Sequence, residues 1–156
     1  MLQSRSLSMS EDRWFTATAA LRLSTRLVDE IQDGVISAGF DDVTPLHGFA
    51  FARIAEGNAT TADLASHLAI SKQAAAQLTH RLVAAGYVER RPHPLDHRAR
   101  LLELTERGHA CTRAARNAAE RAVDGWRREI GGQRARQFEA ALRTVAAPAQ
   151  SLRPPL

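Results

Sequence analysis

Apolar residues recur with the period of a helix along most of this chain. Over residues 11–36 they return every seven positions, at Trp14, Leu21, Val28 and Val35, which predicts one long amphipathic helix. A small monomer cannot cover such a helix along its whole length, so the pattern favours packing against another chain. A buried central helix is the alternative.

Three shorter helices follow, and each is preceded by a hydroxyl residue that can cap its first turn. They begin after Thr44, Thr60 and Ser71. A carboxylate three positions after Thr60 completes a variant of the capping box. The third of these helices is predicted over 71–85 and ends at Gly86.

The hydrophobic period changes from helical to two after Gly86. The alternation predicts strands over 87–91 and 98–104, joined by a turn that contains two prolines. Thr105 then begins a last long helix, and a glycine pair separates it from a terminal amphipathic helix. The predicted fold is mainly α with a small β-hairpin. Short helix, tight turn and capped helix form a helix-turn-helix, and the hairpin behind it is a wing.

Composition limits the class of protein. The 156 residues, 44% hydrophobic and 24% charged, are typical of one soluble globular domain. The N-terminus lacks the apolar segment of a secretory signal, and the single cysteine, Cys111, cannot form an internal disulfide. These features together predict a cytoplasmic protein.

The basic residues are almost all arginine. Lysine occurs once, at Lys72, among 21 basic residues. Arginine suits phosphate groups and base edges better than lysine does, which favours a nucleic acid or another polyanion as partner. A genomic codon bias would produce the same composition, so the positions of the charges must distinguish the two.

The third short helix presents polar side chains opposite its apolar stripe. Glutamine can contact adenine through two hydrogen bonds, and lysine can reach guanine or a phosphate. Residues near the end of the helix suit contacts with the DNA backbone better. The candidate DNA-binding residues of this helix are Ser71, Lys72, Gln73, Gln77, His80 and Arg81. An ordinary solvated helix face is the alternative.

The predicted turn of the hairpin concentrates positive charge where Pro92 and Pro94 restrict the backbone. A narrow minor groove attracts arginine, so this turn is expected to enter a groove of DNA. Asp96 is expected to pair with one of the arginines and fix its direction. The candidate DNA-binding residues of the wing are Arg90, Arg91, His97, Arg98 and Arg100. A solvated loop is the alternative.

These residues carry a family resemblance. The stretch 92–105, PHPLDHRARLLELT, resembles the wing signature of MarR-type winged-helix regulators, which has an Asp, any residue, an Arg and an apolar strand that closes on Leu-Thr. The resemblance covers 60–108 closely and most of the chain more loosely. One position departs from the pattern, because many members have an arginine where this chain has Gln77.

The resemblance implies an obligate homodimer that binds a pseudo-palindromic operator, usually as a repressor, and that responds to a ligand or an oxidant. It also implies that the terminal helices of two subunits form a dimerisation domain. The expected organisation is a tail over 1–9, a dimerisation helix over 10–43, a winged helix-turn-helix lobe over 44–104, dimerisation helices over 105–147 and a tail over 148–156.

The signal that such a regulator would sense is only weakly indicated. Cys111 lies on an apolar stripe, where burial should raise its pKa and make it structural. The histidine spacing gives no metal site, and no cofactor is expected. A small aromatic or lipophilic effector could bind a crevice between the lobe and the terminal helices. Its candidate residues are Trp14, His47, Phe51 and Arg53, although apolar residues at helical spacing are more often core.

Two other functions remain open at this stage. A winged helix can serve as a protein-interaction module, but this role does not require a basic wing. A non-specific architectural protein would bind any duplex with a steep dependence on salt. An enzyme is not expected, because the sequence has neither a nucleophile elbow nor a phosphate-binding glycine loop.

Overall fold

The computed structural model describes residues 9–94 and 99–146. Within these ranges the chain forms six helices and one two-stranded antiparallel sheet. In chain order the elements are α1 (Met9–Ser37), α2 (Pro45–Ala55), α3 (Thr61–Leu68), α4 (Lys72–Ala84), β1 (Val88–Pro92), β2 (Arg100–Leu104), α5 (Glu106–Ile130) and α6 (Gly132–Val145). The predicted fold class, mainly α with a β-hairpin wing, is confirmed.

The caps predicted at Thr60, Ser71 and Thr105 are present and explain where α3, α4 and α5 begin. The Thr60 hydroxyl accepts from the Asp63 N–H, and the Asp63 carboxylate accepts from the Thr60 N–H over 2.8 Å. The Ser71 hydroxyl accepts from the N–H of the third residue of α4, and the Thr105 hydroxyl does the same for α5. Each bond satisfies a backbone donor that the first helical turn leaves unpaired.

The hairpin pairs in the register that places its apolar residues inward. Val88 lies opposite Leu104, and Pro92 lies opposite Arg100. The Leu102 N–H donates to the Ala59 carbonyl over 2.8 Å, which ties β2 to the segment before α3. Since Val88, Leu102 and Leu104 are all buried, the sheet is anchored to the core.

The core joins α2 to the helix-turn-helix and to the hairpin. Phe51, Leu64, Leu82 and Tyr87 are each at most 3% exposed, and the rings of Phe51 and Tyr87 lie 5.5 Å apart. The structure buries Phe51 fully and Phe49 only in part, because the face of α2 that meets Tyr87 is the one carrying Phe51.

The long first helix is buried over only part of its length. Val35, near its end, is 3% exposed, whereas Trp14 and Leu21 are 73% and 65% exposed. The alternative of a buried central helix therefore does not describe α1 in this chain. No helix among the described residues combines the length and apolar character needed to span a membrane.

Helices α1 and α5 cross in close contact at Gly34. A Cβ built on Gly34 would overlap Ala118 Cβ, which is itself 3% exposed. The ion pair from Arg26 to Glu129, 3.0 Å between Nη2 and Oε1, joins the same two helices further along. The absence of a side chain at Gly34 thus sets how closely the two helices approach.

Replacing Gly34 by alanine should lower the free energy of unfolding by about 1–3 kcal/mol, since the added methyl overpacks the crossing. Gly48→Ala is the matched control, because a Cβ there meets nothing within 4 Å and alanine favours a helix by up to about 1 kcal/mol. Urea unfolding at one fixed protein concentration measures both. Equal effects of the two substitutions would contradict the close crossing.

Candidate nucleic-acid interface

Helices α3 and α4 form the predicted helix-turn-helix. Ala69 adopts a left-handed conformation, with φ 53°, directly after α3, so the chain reverses within a few residues. Leu64 and Leu68 of α3 and Leu78 and Leu82 of α4 are buried together in the core. This packing fixes which side of α4 faces solvent.

The exposed side of α4 and its N-cap carry all six helix residues that are predicted to contact DNA. The predicted residues Ser71, Lys72, Gln73, Gln77, His80 and Arg81 are all exposed. The stretch 71–85 contains no Asp or Glu, so its surface repels no phosphate. Its first turn also presents backbone N–H groups, which favour anions. The arrangement suits insertion of the N-terminal end of α4 into a major groove, and the contacts themselves remain a prediction.

The wing arginines differ in their surroundings. Arg91 pairs with Glu89 over 2.7 Å and with Glu103 over 3.4 Å, so its charge is already engaged by two carboxylates on its own sheet face. Arg90 and Arg100 are exposed, and Arg100 donates to the Ala99 carbonyl over 3.2 Å. DNA would have to compete with two glutamates for Arg91, which makes the exposed Arg90 the better candidate of the two.

The predicted tip residues Asp96, His97 and Arg98 lie outside the described residues. The expected pairing of Asp96 with an arginine and the expected minor-groove role of Arg98 therefore stay sequence predictions.

An apolar cavity of about 270 Å³ lies between α1, α2 and α5. Its wall is almost entirely hydrocarbon, and one charged side chain, Arg116, lies along its lining. Arg116 is exposed, and no carboxylate of the described residues lies within ion-pair distance of it. Apolar residues of the lining include Val28, Ile31, Phe49, Phe51, Cys111 and Ala115.

The four predicted effector residues are not brought together by the fold. Phe51 lines the cavity, but His47, Arg53 and Trp14 do not. Trp14 lies fourteen residues before the first cavity residue of α1, which is about 20 Å along a helix. The Arg53 guanidinium donates to the Gly57 carbonyl over 3.1 Å at the end of α2.

His47 serves the start of α2 instead of the cavity. Its Nδ1 accepts from the Thr44 N–H over 3.1 Å. Burial lowers the pKa of His47, which favours the neutral ring that can accept this hydrogen bond. The sequence predicts Thr44 as a cap, but it does not identify His47 as the side chain that accepts from the Thr44 N–H.

The contacts among Asp42, Tyr87 and Arg107 were not predicted from the sequence. The Tyr87 hydroxyl donates to Asp42 Oδ1 over 2.5 Å, and Arg107 Nη2 donates to the same hydroxyl over 3.1 Å. Burial is the main reason that the pKa of Tyr87 is raised to about 12. These three residues are 45 and 20 positions apart, and no local pattern in the sequence connects them.

Residues 41–99 match the family model described as MarR family, a segment that contains the helix-turn-helix and part of the wing. No curated protein sequence gives a significant match.

Solved structures share the fold over nearly the whole chain. RV1404 from Mycobacterium tuberculosis is 21% identical with a TM-score of 0.73, over 96% of this chain and 100% of its own. Apo MarR from E. coli is 20% identical with a TM-score of 0.67, over 83% and 95%. The MarR family protein RV2887 from M. tuberculosis, in complex with salicylic acid, is 21% identical with a TM-score of 0.62, over 81% and 93%.

The fold and the exposed face of α4 define a winged helix-turn-helix protein. The match of residues 41–99 to the MarR family model, together with the shared fold, confirms the resemblance to MarR-type winged-helix regulators that the wing sequence predicts.

Cys111 should behave as a buried structural thiol. It is 2% exposed, and burial raises its pKa from 9.0 to about 11. At neutral pH this shift lowers the thiolate fraction about a hundredfold, and the thiolate is the reactive form. Iodoacetamide should therefore modify the folded protein at least about a hundredfold more slowly than the urea-unfolded chain. Since the chain has one cysteine, mass spectrometry follows this reaction alone, and similar rates in the two states would refute the assignment.

Proposed function

We propose that the protein binds duplex DNA as a homodimer at a pseudo-palindromic operator and represses transcription until a small molecule releases it. The observation that carries the proposal is the exposed, acid-free face of α4 at the end of a rigidly packed helix-turn-helix. A chain of this class places such a helix in the major groove and its hairpin against the neighbouring minor groove.

The proposed DNA contacts of the α4 side chains differ along the length of the helix. Gln73 and Gln77, one turn apart, can hydrogen-bond base edges, and Lys72 at the N-terminal end reaches a base or a phosphate. His80 and Arg81 lie nearer the other end and suit the DNA backbone. On the wing, Arg90 and Arg100 supply exposed charge.

Association of two copies is supported by apolar surface at the two ends of the chain. Large exposed hydrophobic residues occur on the first half of α1 and on α5 and α6, where a monomer would leave them in water. The indole N–H of Trp126 is buried without a partner among the described residues, and a second subunit could supply the acceptor. These exposed residues include Trp14, Phe15, Leu21, Ile130, Leu142 and Val145.

Selection of bound duplexes from a random pool, at near-physiological salt, should recover a two-fold symmetric motif with half-sites about one helical turn apart. The symmetry would report the dimer and the motif would supply the operator. Tight binding without a motif would instead identify an architectural DNA-binding protein. No binding to any duplex would leave the protein-interaction role.

The same selection with Gln73→Ala should relax the preference at one position of each half-site by about 1–3 kcal/mol. Gln133→Ala, which removes an exposed glutamine from α6, is the matched control and should reproduce the wild-type motif. If Gln73→Ala lowers binding equally for all sequences, Gln73 does not read bases.

The cavity between α1, α2 and α5 is the proposed effector site. An apolar wall with one unpaired arginine suits an aromatic carboxylate, whose ring is buried while its anion meets a guanidinium. The salicylic acid complex of RV2887 makes salicylate a reasonable first probe. This site replaces the set of effector residues predicted from sequence, of which it keeps Phe51.

Arg116→Ala should weaken salicylate binding about tenfold, since a charge-assisted hydrogen bond of about 1.4 kcal/mol corresponds to that factor. Arg113→Ala is the control, because Arg113 is on the same helix but pairs with Glu106 over 2.7 Å. Calorimetric titration measures both. Unchanged affinity in Arg116→Ala would remove Arg116 from the site, and no binding by the wild type would exclude salicylate as the effector.

A further inference from the structure

Arg107, on the first turn of α5, contacts the C-terminal end of α4. Its Nη1 donates to the carbonyl of Ala85, the C-cap residue of α4, over 3.0 Å. The guanidinium carbon also lies 4.4 Å from the centre of the Tyr87 ring. A cation at this position favours the C-terminal end of α4, where carbonyl groups lack helical partners.

Asp42 brings a third segment into the same network. It lies in the loop between α1 and α2, accepts from the Tyr87 hydroxyl over 2.5 Å and pairs with Arg107 over 3.6 Å. We call Asp42, Tyr87 and Arg107 the junction network. It connects the α1–α2 loop, the exit of α4 and the start of α5.

We propose that Arg107 and Asp42 are positioning residues for DNA binding, which set the direction of α4 relative to α5 without touching DNA themselves. The inference rests on the proposed function. Helix α4 extends about 20 Å from the junction to Lys72, so a tilt of about 5° at Ala85 would move its N-terminal end by about 2 Å. A displacement of that size takes a hydrogen bond out of its working range.

Stability alone does not account for this network. The side chains of Arg107 and Asp42 are 50% and 45% exposed, and exposed ion pairs contribute little to folding free energy. The acceptor at the end of α4 is what distinguishes Arg107 from the other arginines of α5. Arg113, about two turns further along, pairs with Glu106 of its own helix and with no other carboxylate of residues 9–94 and 99–146.

The test uses two substitutions of opposite charge in the full chain, with the operator recovered by selection. Arg107→Ala and Asp42→Ala should each weaken operator binding about tenfold or more, measured by fluorescence anisotropy. Simple electrostatics predicts the reverse for Asp42→Ala, because removing a carboxylate from the reading lobe should strengthen binding to a polyanion. Arg113→Ala and Asp41→Ala are the matched controls, and neither should show the tenfold loss. Asp41→Ala should bind at least as tightly as the wild type, because it removes a carboxylate from the same loop.

A second readout links the effect to the network. Tyr87 is the one tyrosine of the sequence, so the ultraviolet absorbance of tyrosinate reports its titration alone. Its pKa of about 12 in the wild type should fall in Asp42→Ala, because the carboxylate raises it, whereas Arg107 lowers it. Circular dichroism and urea unfolding should show both variants fully folded under the binding conditions.

Wild-type affinity in Asp42→Ala, or in Arg107→Ala, would overturn the inference while leaving the proposed function standing. Failure of the wild type to bind any duplex would overturn both.

Discussion

The arrangement of the winged helix-turn-helix lobe depends on one close backbone contact, between the residues that enter the hairpin and the start of α5. The Thr105 N–H donates to the Tyr87 carbonyl over 3.0 Å, and the Thr105 hydroxyl donates to the Gly86 carbonyl over 2.6 Å. A Cβ on Gly108 would overlap the Tyr87 carbonyl oxygen. Only a glycine lets the helix approach so closely, and the contact holds the end of α4 next to the start of α5, where the junction network can act on their relative direction.

The opposite side of the lobe is joined to the long helices by different forces. There α2 faces α1 and α5 across the cavity, mainly through hydrocarbon side chains. Hydrogen bonds fix direction, whereas apolar contacts are non-directional. The lobe is therefore held in direction mainly at the junction network, and at the cavity mainly by apolar contacts beside one hydrogen bond, from the Gln32 amide to the Val43 carbonyl over 2.6 Å. Phe51 belongs to both regions, since it lines the cavity and its ring lies against Tyr87.

Local chemistry made most of the fold predictable. The caps at Thr60, Ser71 and Thr105 involve partners within three residues. The hairpin is predicted by the alternation of apolar and polar residues along its two strands. The effector residues and the junction network could not be found in this way. A helical period identifies an apolar face, but whether Phe49 or Phe51 is buried depends on the position of a distant tyrosine. The role of His47 was hidden for another reason, because an imidazole can replace the glutamate of a capping box.

The number of arginines does not identify a nucleic acid as the partner, because several of them pair with carboxylates. Their positions in the fold are more informative. Several arginines neutralise carboxylates between helices, as Arg26 does with Glu129 and Arg127 with Glu139. Even Arg91 on the wing is engaged by glutamates. Helix α4, in contrast, has a modest charge but no acid along its length. A surface without carboxylates would admit a polyanion closely, and in the proposed complex neutral glutamines would then discriminate bases at a distance where long-range charge cannot. The reading face is thus defined less by accumulated charge than by the exclusion of acidic residues.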